Sequence, residues 1–393
     1  MIARIALALA GVLVALALCE GFLRIFWCGP ARETYEFQTA PFLCANPYWG
    51  TWHFPNHSIE HRKSCFDAHY TTNEYGMKSD PVGSGKPRIA LLGDSFVEGF
   101  GNDNATTVQR YLATELGSSY EILNFGVSGN FTTIDELVIY DDFVRFFHPK
   151  IAVLFFLNYN DLRDSLAPDK RAFIDEQLNF VYRKATSLEE VTASFSREPP
   201  PNPEAQPERL CLSRLWRVAQ QVFRNQGQMG FNIRWDIHQE TARPYLPDED
   251  ADTRKAWAIV DASIARLAAI TRAEGTTLVV AQIADPYQTD PNWLYVTSAW
   301  VRRPLDPTHP NRRLQEICEK HQVRYYDMYP DALRAIEADG LHFPYLSFLC
   351  DRHYSPQGQK LMADLVARYL REQGLLDGIG SAASQPRPTA EAY

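Results

Sequence analysis

One serine in the sequence directly follows a run of apolar residues. Residues 91–99 read Leu-Leu-Gly-Asp-Ser-Phe-Val-Glu-Gly, which places Ser95 where a buried strand would turn into a helix. A serine in such a turn can attack a carbonyl group, and the N–H groups at the start of a helix stabilise developing negative charge. Asp and Ser are also preferred helix caps, so Asp94 and Ser95 could simply cap the helix. Because short motifs recur by chance, this one alone does not decide between catalysis and capping.

Three further polar motifs follow later apolar runs. Gly126 and Asn160 follow the second and third runs, and His353 follows the fifth run shortly before a final helical pattern. The Gly N–H and the Asn side-chain amide are donors that an oxyanion would need. His353 could take the proton of Ser95 as a general base, with Asp351 orienting its imidazole. Each motif taken alone is more often a simple turn or cap.

The elements that would position these residues alternate between strands and helices. Strand patterns cover residues 88–92, 120–125, 151–157, 277–283 and 323–328. Helical patterns cover residues 108–116, 134–147, 253–274, 311–321 and 356–373. This alternation predicts a three-layer α/β/α sandwich around a sheet of five parallel strands. In such sheets ligands bind at the carboxyl ends of the strands, so we expect the polar motifs to meet at one edge.

The remaining segments suggest how the chain is organised. Residues 28–87 lack sustained periodicity and are predicted to form an irregular N-terminal extension. The predicted catalytic domain spans 88–374, but its third and fourth strands lie about 120 residues apart, far more than one crossover requires. We therefore predict a helical insertion at about 163–250. Residues 375–393 turn to Ser, Ala, Pro and Gln and are predicted to be a disordered tail.

The N-terminus carries a continuous apolar run over residues 5–18. Residues 1–27 fit an uncleaved signal anchor, a cleaved signal peptide, or a lipoprotein signal at Cys19. The anchor is favoured over cleavage, and lipidation is least favoured because the large Leu18 precedes Cys19. All three alternatives place the body outside the cytoplasm. The expected location is the cell membrane, with one spanning helix and an extracytoplasmic (periplasmic) catalytic domain.

Composition and cysteine usage narrow the possible partners. The formal net charge of −9 argues against a nucleic-acid-binding surface, which needs a basic excess. Seven cysteines would allow disulfides in an oxidising compartment, with Cys44–Cys65 a plausible local pair, and the odd number leaves at least one thiol unpaired. Because the sequence has no Cys-x-x-Cys motif, we expect no metal site, and we expect no cofactor. The oligomeric state is left open.

Taken in order, these motifs resemble the four sequence blocks of the SGNH (GDSL-type) hydrolases. Ser95 lies in a Gly-Asp-Ser triplet, and Gly126, Asn160 and the Asp351/His353 pair follow it in the same order. The resemblance implies a flavodoxin-like SGNH hydrolase fold, with Ser as the nucleophile and His as the general base. It also implies an oxyanion hole made by the Ser N–H, the Gly N–H and the Asn side chain.

The last block departs from the usual pattern of that family. The family has Asp three residues before the His, where this chain has Cys350, and Asp351 is only two residues before His353. His309 belongs to an Asp-x-x-His-Pro stretch that fits the family spelling better. It precedes the fifth strand, however, whereas the catalytic block should follow it, so His353 is preferred. Residues 73–78 also resemble a stretch found in a bacterial subgroup with N-terminal anchors.

The resemblance implies a serine esterase that acts on acyl esters. Given the expected compartment, O-acyl groups such as O-acetyl on envelope or exported polysaccharide are the predicted substrates. The same site could instead transfer the acyl group to a sugar hydroxyl, as an O-acyltransferase does. A third hypothesis is a catalytically silent scaffold that acts as a binding subunit.

Overall fold

A computed structural model describes residues 2–26, 37–63, 65–83, 85–196, 240–340 and 346–376. Its strands are β1 Phe37–Gln38, β2 Leu43–Asn46, β3 Gly50–His53, β4 Ser58–Lys63, β5 Phe66–Thr71, β6 Arg88–Gly93, β7 Glu121–Gly126, β8 Ile151–Phe156, β9 Thr277–Gln282 and β10 Arg324–Asp327. Its α-helices are α1 Ile2–Phe26, α2 Ser95–Glu98, α3 Val108–Leu116, α4 Thr133–Asp142, α5 Asn158–Asp164, α6 Leu188–Ala193, α7 Ala251–Ala273, α8 Pro291–Val301, α9 His309–Lys320, α10 Tyr329–Ala338 and α11 Pro356–Glu372.

Five strands form one parallel sheet in the order β10-β9-β8-β6-β7. The predicted α/β sandwich with five parallel strands is therefore confirmed. The chain first builds β6 and its neighbour β7, and then continues on the other side of β6 with β8. This reversal beside β6 is the topological switch point at which open α/β sheets bind ligands.

The two faces of the sheet carry separate apolar cores because side chains alternate along each strand. Leu91 and Val153 point to the face covered by α3 and α11. Leu92 and Leu154 point to the opposite face, where α4 and α7 pack. Both faces are thus buried, which explains why the central strands are apolar without a polar alternate position.

The N-terminal extension is more ordered than the sequence predicted. Instead of an irregular segment, it contains a three-stranded sheet in the order β1-β4-β5 and the antiparallel pair β2-β3. Trp49 and Trp52 are almost fully buried, and both rings contact Phe143 at the end of α4. These strands are short and depend on tertiary packing, so periodicity within the segment gave little sign of them.

The insertion and both termini are described only in part. Between α5 and residue 196 the chain forms a 3₁₀ turn at Pro168–Ala172, one isolated bridge and the short helix α6. Residues 197–239 of the predicted helical insertion and 377–393 of the predicted tail lie outside the described residues. So do many side chains of α1. Within the described part of the chain, no helix has the length and apolarity needed to cross a membrane.

The disulfide differs from the expected one. Cys65 pairs with Cys350, 285 positions away in the sequence, and Cys44 is a free, half-buried thiol. The prediction of a Cys44–Cys65 pair is therefore wrong. It relied on closeness in sequence, whereas the fold brings the start of β5 against the loop before α11. Cys28 and Cys211 lie outside the described residues.

Candidate active site

The nucleophile candidate lies in a tight turn after the central strand β6. The Asp94 side chain accepts a hydrogen bond from Phe96 N, so Asp94 caps α2 while Ser95 begins it. This helix is a single turn and ends at Gly99 with φ of 80°. A left-handed residue there suits glycine. Capping and presentation of the hydroxyl are therefore divided between neighbouring residues: Asp94 caps α2, and the buried Ser95 directs its hydroxyl to His353.

The loop before α11 brings the general-base candidate to this serine. Ser95 Oγ lies 2.7 Å from His353 Nε2. The other ring nitrogen, Nδ1, is hydrogen-bonded to Asp351 Oδ1, which also accepts the His353 backbone N–H at 3.0 Å. The shorter Asp-x-His spacing thus still reaches the imidazole, because Asp351 bonds both the backbone and the ring of the same residue.

The acceptor at Nδ1 fixes which ring nitrogen carries the proton. An ionised carboxylate can only accept, so His353 Nδ1 must donate, and Nε2 is left to accept the Ser95 O–H. Burial would raise the pKa of Asp351, but its hydrogen bond and charge interaction with His353 and its hydrogen bond with Lys63 outweigh burial and hold the pKa well below its usual range. The carboxylate therefore stays ionised across the physiological range.

His309, the alternative base, lies elsewhere. It begins α9, before β10, and its Nε2 is 3.0 Å from Glu249 Oε1. That contact ties α9 to the segment before α7. Of the two candidates, only His353 contacts Ser95.

Asn160 is held next to the same turn. It lies in the first turn of α5, after β8, and its side-chain amide donates to Asp94 Oδ2 at 3.0 Å. Asp94 therefore uses one oxygen to cap α2 and the other to orient Asn160. An amide nitrogen carries two hydrogens, so the second N–H of Asn160 is left for an oxyanion.

Gly126 occupies the expected strand end but not the expected role. Its N–H already donates to Asn124 Oδ1 at 2.9 Å. A Cβ at this position would lie 2.2 Å from Glu98 N, so glycine is required by close packing against α2. Further along the same loop, Gly129 is exposed with φ of 106°, and no described group accepts its N–H. The glycine at the strand end therefore serves close packing, and its N–H is already used within the loop.

Carboxyl groups lie buried behind the nucleophile turn. Asp161 accepts from the Thr133 N–H and hydroxyl and from Leu157 N, and Glu136 has no hydrogen-bond partner for either oxygen in the described part of the chain. Burial, together with the charges of Asp161, Asp94 and Asp135, raises the pKa of Glu136 well above its usual value. Burial without a partner therefore favours the protonated form of Glu136, which avoids an additional unpaired charge in the interior.

The N-terminal extension supplies polar side chains that contact residues of the candidate site and of α2. His53 and His61 are buried on β3 and β4. His53 Nε2 lies 3.0 Å from Glu98 Oε2, and Lys63 Nζ lies 2.7 Å from Asp351 Oδ2. Their partners are distant in sequence, so spacing could not reveal these contacts. No cluster of His, Cys, Asp and Glu suited to a metal ion occurs among the described residues.

Comparison with known proteins gives remote likenesses only. No protein-family model matches the sequence, and no curated protein matches it. A lipase/acylhydrolase from Enterococcus faecalis is similar in structure, with 13% identity and a TM-score of 0.37 over 73% of this chain and 96% of that one. A catalytic mutant of an acetylxylan esterase from Geobacillus stearothermophilus shares 12% identity, with a TM-score of 0.37 over 75% and 96% of the two chains. An acetyl xylan esterase, AlAXEase, shares 12% identity, with a TM-score of 0.39 over 72% and 99%. Inference about activity therefore rests on this chain's own residues.

Proposed function

We propose that this chain is a serine esterase of the SGNH type. The observation that carries the proposal is the contact of 2.7 Å between Ser95 Oγ and His353 Nε2, with Asp351 on the other ring nitrogen. A binding scaffold does not require a nucleophile, a base and an orienting carboxylate in one hydrogen-bonded line. The same three types of group perform acyl transfer on unrelated folds.

The chemistry follows from the arrangement of donors and acceptors. Ser95 Oγ attacks the ester carbonyl carbon while His353 Nε2 takes the hydroxyl proton. The Ser95 N–H and the second amide hydrogen of Asn160 donate to the oxyanion, with a third N–H supplied by the loop after β7. Collapse expels the alcohol, which receives the proton from His353. Water then attacks the acyl-enzyme, and the carboxylic acid is released.

Labelling with a fluorophosphonate tests the nucleophile directly, because this reagent reacts with activated serine hydroxyls. The full-length chain should be labelled, and Ser95→Ala should abolish both labelling and hydrolysis of aryl acetates. Ser128→Ala provides the matched control, since Ser128 lies nearby in the loop after β7. A folded wild-type chain without labelling would instead favour the binding-scaffold hypothesis.

Two rings beside the site support a carbohydrate-linked ester as substrate. Tyr159 precedes Asn160, and its ring centroid lies 5.4 Å from that of Tyr287. The Arg352 guanidinium lies 4.3 Å from the Tyr287 ring centroid and belongs to the catalytic loop. Half-buried tyrosines offer both an apolar face and a hydroxyl, which suits a sugar ring. Tyr287→Ala should raise KM for acetylated glycans and leave KM for a small aryl acetate unchanged.

Hydrolase and transferase activities differ only in the acceptor that reaches the acyl-enzyme. We favour hydrolysis because the His353 side chain is 24% exposed, so water can reach the base. Incubation with an acyl donor and soluble oligosaccharides measures the partition between free acid and acylated sugar. Acylated sugar as the main product would replace the esterase proposal with the O-acyltransferase one.

We also propose an extracytoplasmic location for the catalytic body. The Cys65–Cys350 disulfide supports this location, because disulfides form and persist in oxidising compartments. Exposed apolar side chains on α1, such as Leu18 at 69% exposure, support membrane attachment through this helix. Protease added to spheroplasts should degrade the body, whereas protection until the spheroplasts are lysed would place it in the cytoplasm.

A further inference from the structure

The hairpin β4-β5 is attached to the catalytic loop in two ways. Cys65, between the two strands, forms a disulfide with Cys350, the residue before Asp351. Lys63, the last residue of β4, donates from Nζ to Asp351 Oδ2 at 2.7 Å. A segment far ahead of the nucleophile in sequence thus contacts the loop that carries the general base.

Lys63 is partly buried and contacts two neighbours of the His353 imidazole, the Asp351 carboxylate and the Phe100 ring. The Lys63 and Asp351 side chains are 18% and 12% exposed, so solvent screens their attraction less than at the open surface. Lys63 Nζ also lies 4.9 Å from the Phe100 ring centroid. The Phe100 ring in turn lies 4.4 Å from the His353 ring.

The two oxygens of Asp351 have separate partners. Oδ1 accepts from His353, while Oδ2 accepts from Lys63. Such an arrangement prevents rotation of the carboxylate, because turning it would break a charge-assisted bond on each side. The positive charge of Lys63 also lies close to His353, on the far side of the Asp351 carboxylate. This charge repels the positive charge that His353 gains when it takes a proton.

On this basis we infer that Lys63 is a positioning residue of the active site, extending the line Ser95–His353–Asp351 to a fourth member. The N-terminal hairpin is then part of the catalytic unit, and the Cys65–Cys350 disulfide keeps the lysine in register with its carboxylate. This inference rests on the proposed esterase function. It assigns to β4 a role in tuning the base, in addition to its role in the small sheet.

Charged groups face His353 from three elements, and each bears on the test. Asp351 belongs to the same loop, Asp94 precedes α2 and interacts with the His353 charge, and Lys63 comes from β4. Neighbouring Arg352 is directed over the Tyr287 ring instead. Removing Lys63 leaves two carboxylates facing the imidazole, which favours its charged form. The base should then remain protonated, and inactive, up to a higher pH.

The test measures the rate of fluorophosphonate labelling of the full chain against pH for Lys63→Met and Lys63→Arg. We expect Lys63→Met to lower the plateau rate about 10-fold or more and to move the acidic limb of the profile up by about one pH unit. Lys63→Arg retains the cation and should restore both values to near wild type. Arg62→Met, on the same strand but in an exposed ion pair, is the control and should leave the profile unchanged.

The outcomes separate a role in positioning from a role in folding. If Lys63→Met lowers the plateau rate while its acidic limb stays at the wild-type pH, the residue only stabilises the hairpin and the inference is wrong. An acidic limb that moves in a variant of unchanged melting temperature supports it, as does rescue by arginine. Absence of labelling in the wild type would overturn the proposed function itself, and with it this inference.

Discussion

The carboxyl edge of the parallel sheet and the N-terminal extension contribute to one site in different ways. At the sheet edge, Ser95, Asn160 and His353 come from turns that follow strands, so backbone topology alone brings them together. In the extension, His53 and Lys63 reach the site by side-chain contacts across different layers. The first region supplies the groups that we propose react, and the second supplies polar side chains that contact their neighbours.

The difference shows how the two kinds of contact arise. Parallel strands end at a shared edge whatever their side chains are, so motifs placed after strands meet automatically. A buried side-chain contact such as His53–Glu98 forms only where the fold brings two specific side chains together. We therefore expect substitutions at the edge to have the largest effects on rate. Substitutions in the extension should change stability and pH dependence, with a smaller effect on rate at Lys63.

The largest expected effect is at the general base. His353→Ala should lower kcat/KM for an aryl acetate by about 10³- to 10⁴-fold, because Ser95 loses its proton acceptor. His309→Ala is the matched control and should retain wild-type activity, since His309 pairs with Glu249. Steady-state kinetics of both variants decide the matter. Full activity in His353→Ala would mean that the general base is another residue, away from the sheet edge.

The sheet edge was also the part best predicted from sequence. Apolar runs gave all five parallel strands, and the residues after them gave Ser95, Asn160 and His353 as neighbours. Gly126 was placed at the right strand end, but its N–H is used within the loop. Whether a backbone N–H is free depends on local hydrogen bonds, which residue type and spacing do not reveal.

The extension was predicted poorly for a physical reason. Its short strands are stabilised by aromatic packing on α4, and its key contacts join residues far apart, such as Cys65 with Cys350. Local spacing favoured Cys44 as the partner of Cys65, because nothing in the sequence shows that the loop before α11 folds back onto β5. Lys63 likewise had no local motif to mark it.

The second prediction concerns that disulfide. Replacing Cys65 and Cys350 together by serine should lower the free energy of unfolding by about 3–4 kcal/mol, because the bond closes a very long loop in the unfolded chain. Urea denaturation measures the change. Cys44→Ser, which removes a free thiol, should have a much smaller effect. Equal destabilisation by Cys44→Ser would restore the pairing suggested by local spacing.

The third prediction tests the oxyanion donor at the sheet edge. Asn160→Ala should lower kcat about 10²-fold, or about 2.7 kcal/mol, with little change in KM, because the amide acts mainly on the transition state. Asn130→Ala, at an exposed position in the loop after β7, is the control. An equal loss in both variants would point to disturbance of the loops rather than to a specific donor.

The smallest expected effect tests Glu98, whose buried hydrogen bond with His53 joins the extension to α2. Burial would raise the pKa of Glu98, but hydrogen bonding and charge interaction with His53, then the charge of Lys78, outweigh it and lower the pKa. A carboxyl group with a lowered folded-state pKa stabilises the protein above its unfolded pKa, and this contribution is lost as pH falls through the folded value. Glu98→Gln should therefore cost about 1–2 kcal/mol at neutral pH.

Melting temperatures measured at a series of pH values provide the check. The difference between wild type and Glu98→Gln should be constant near neutrality and shrink at acidic pH, where the wild-type carboxylate also becomes protonated. Glu60→Gln removes a carboxylate from an exposed ion pair and should change stability little at any pH. A pH-independent difference for Glu98→Gln would mean that Glu98 acts by shape rather than charge. In that case the extension would hold α2 by packing, and Lys63 would be its only proposed electrostatic contribution to the site.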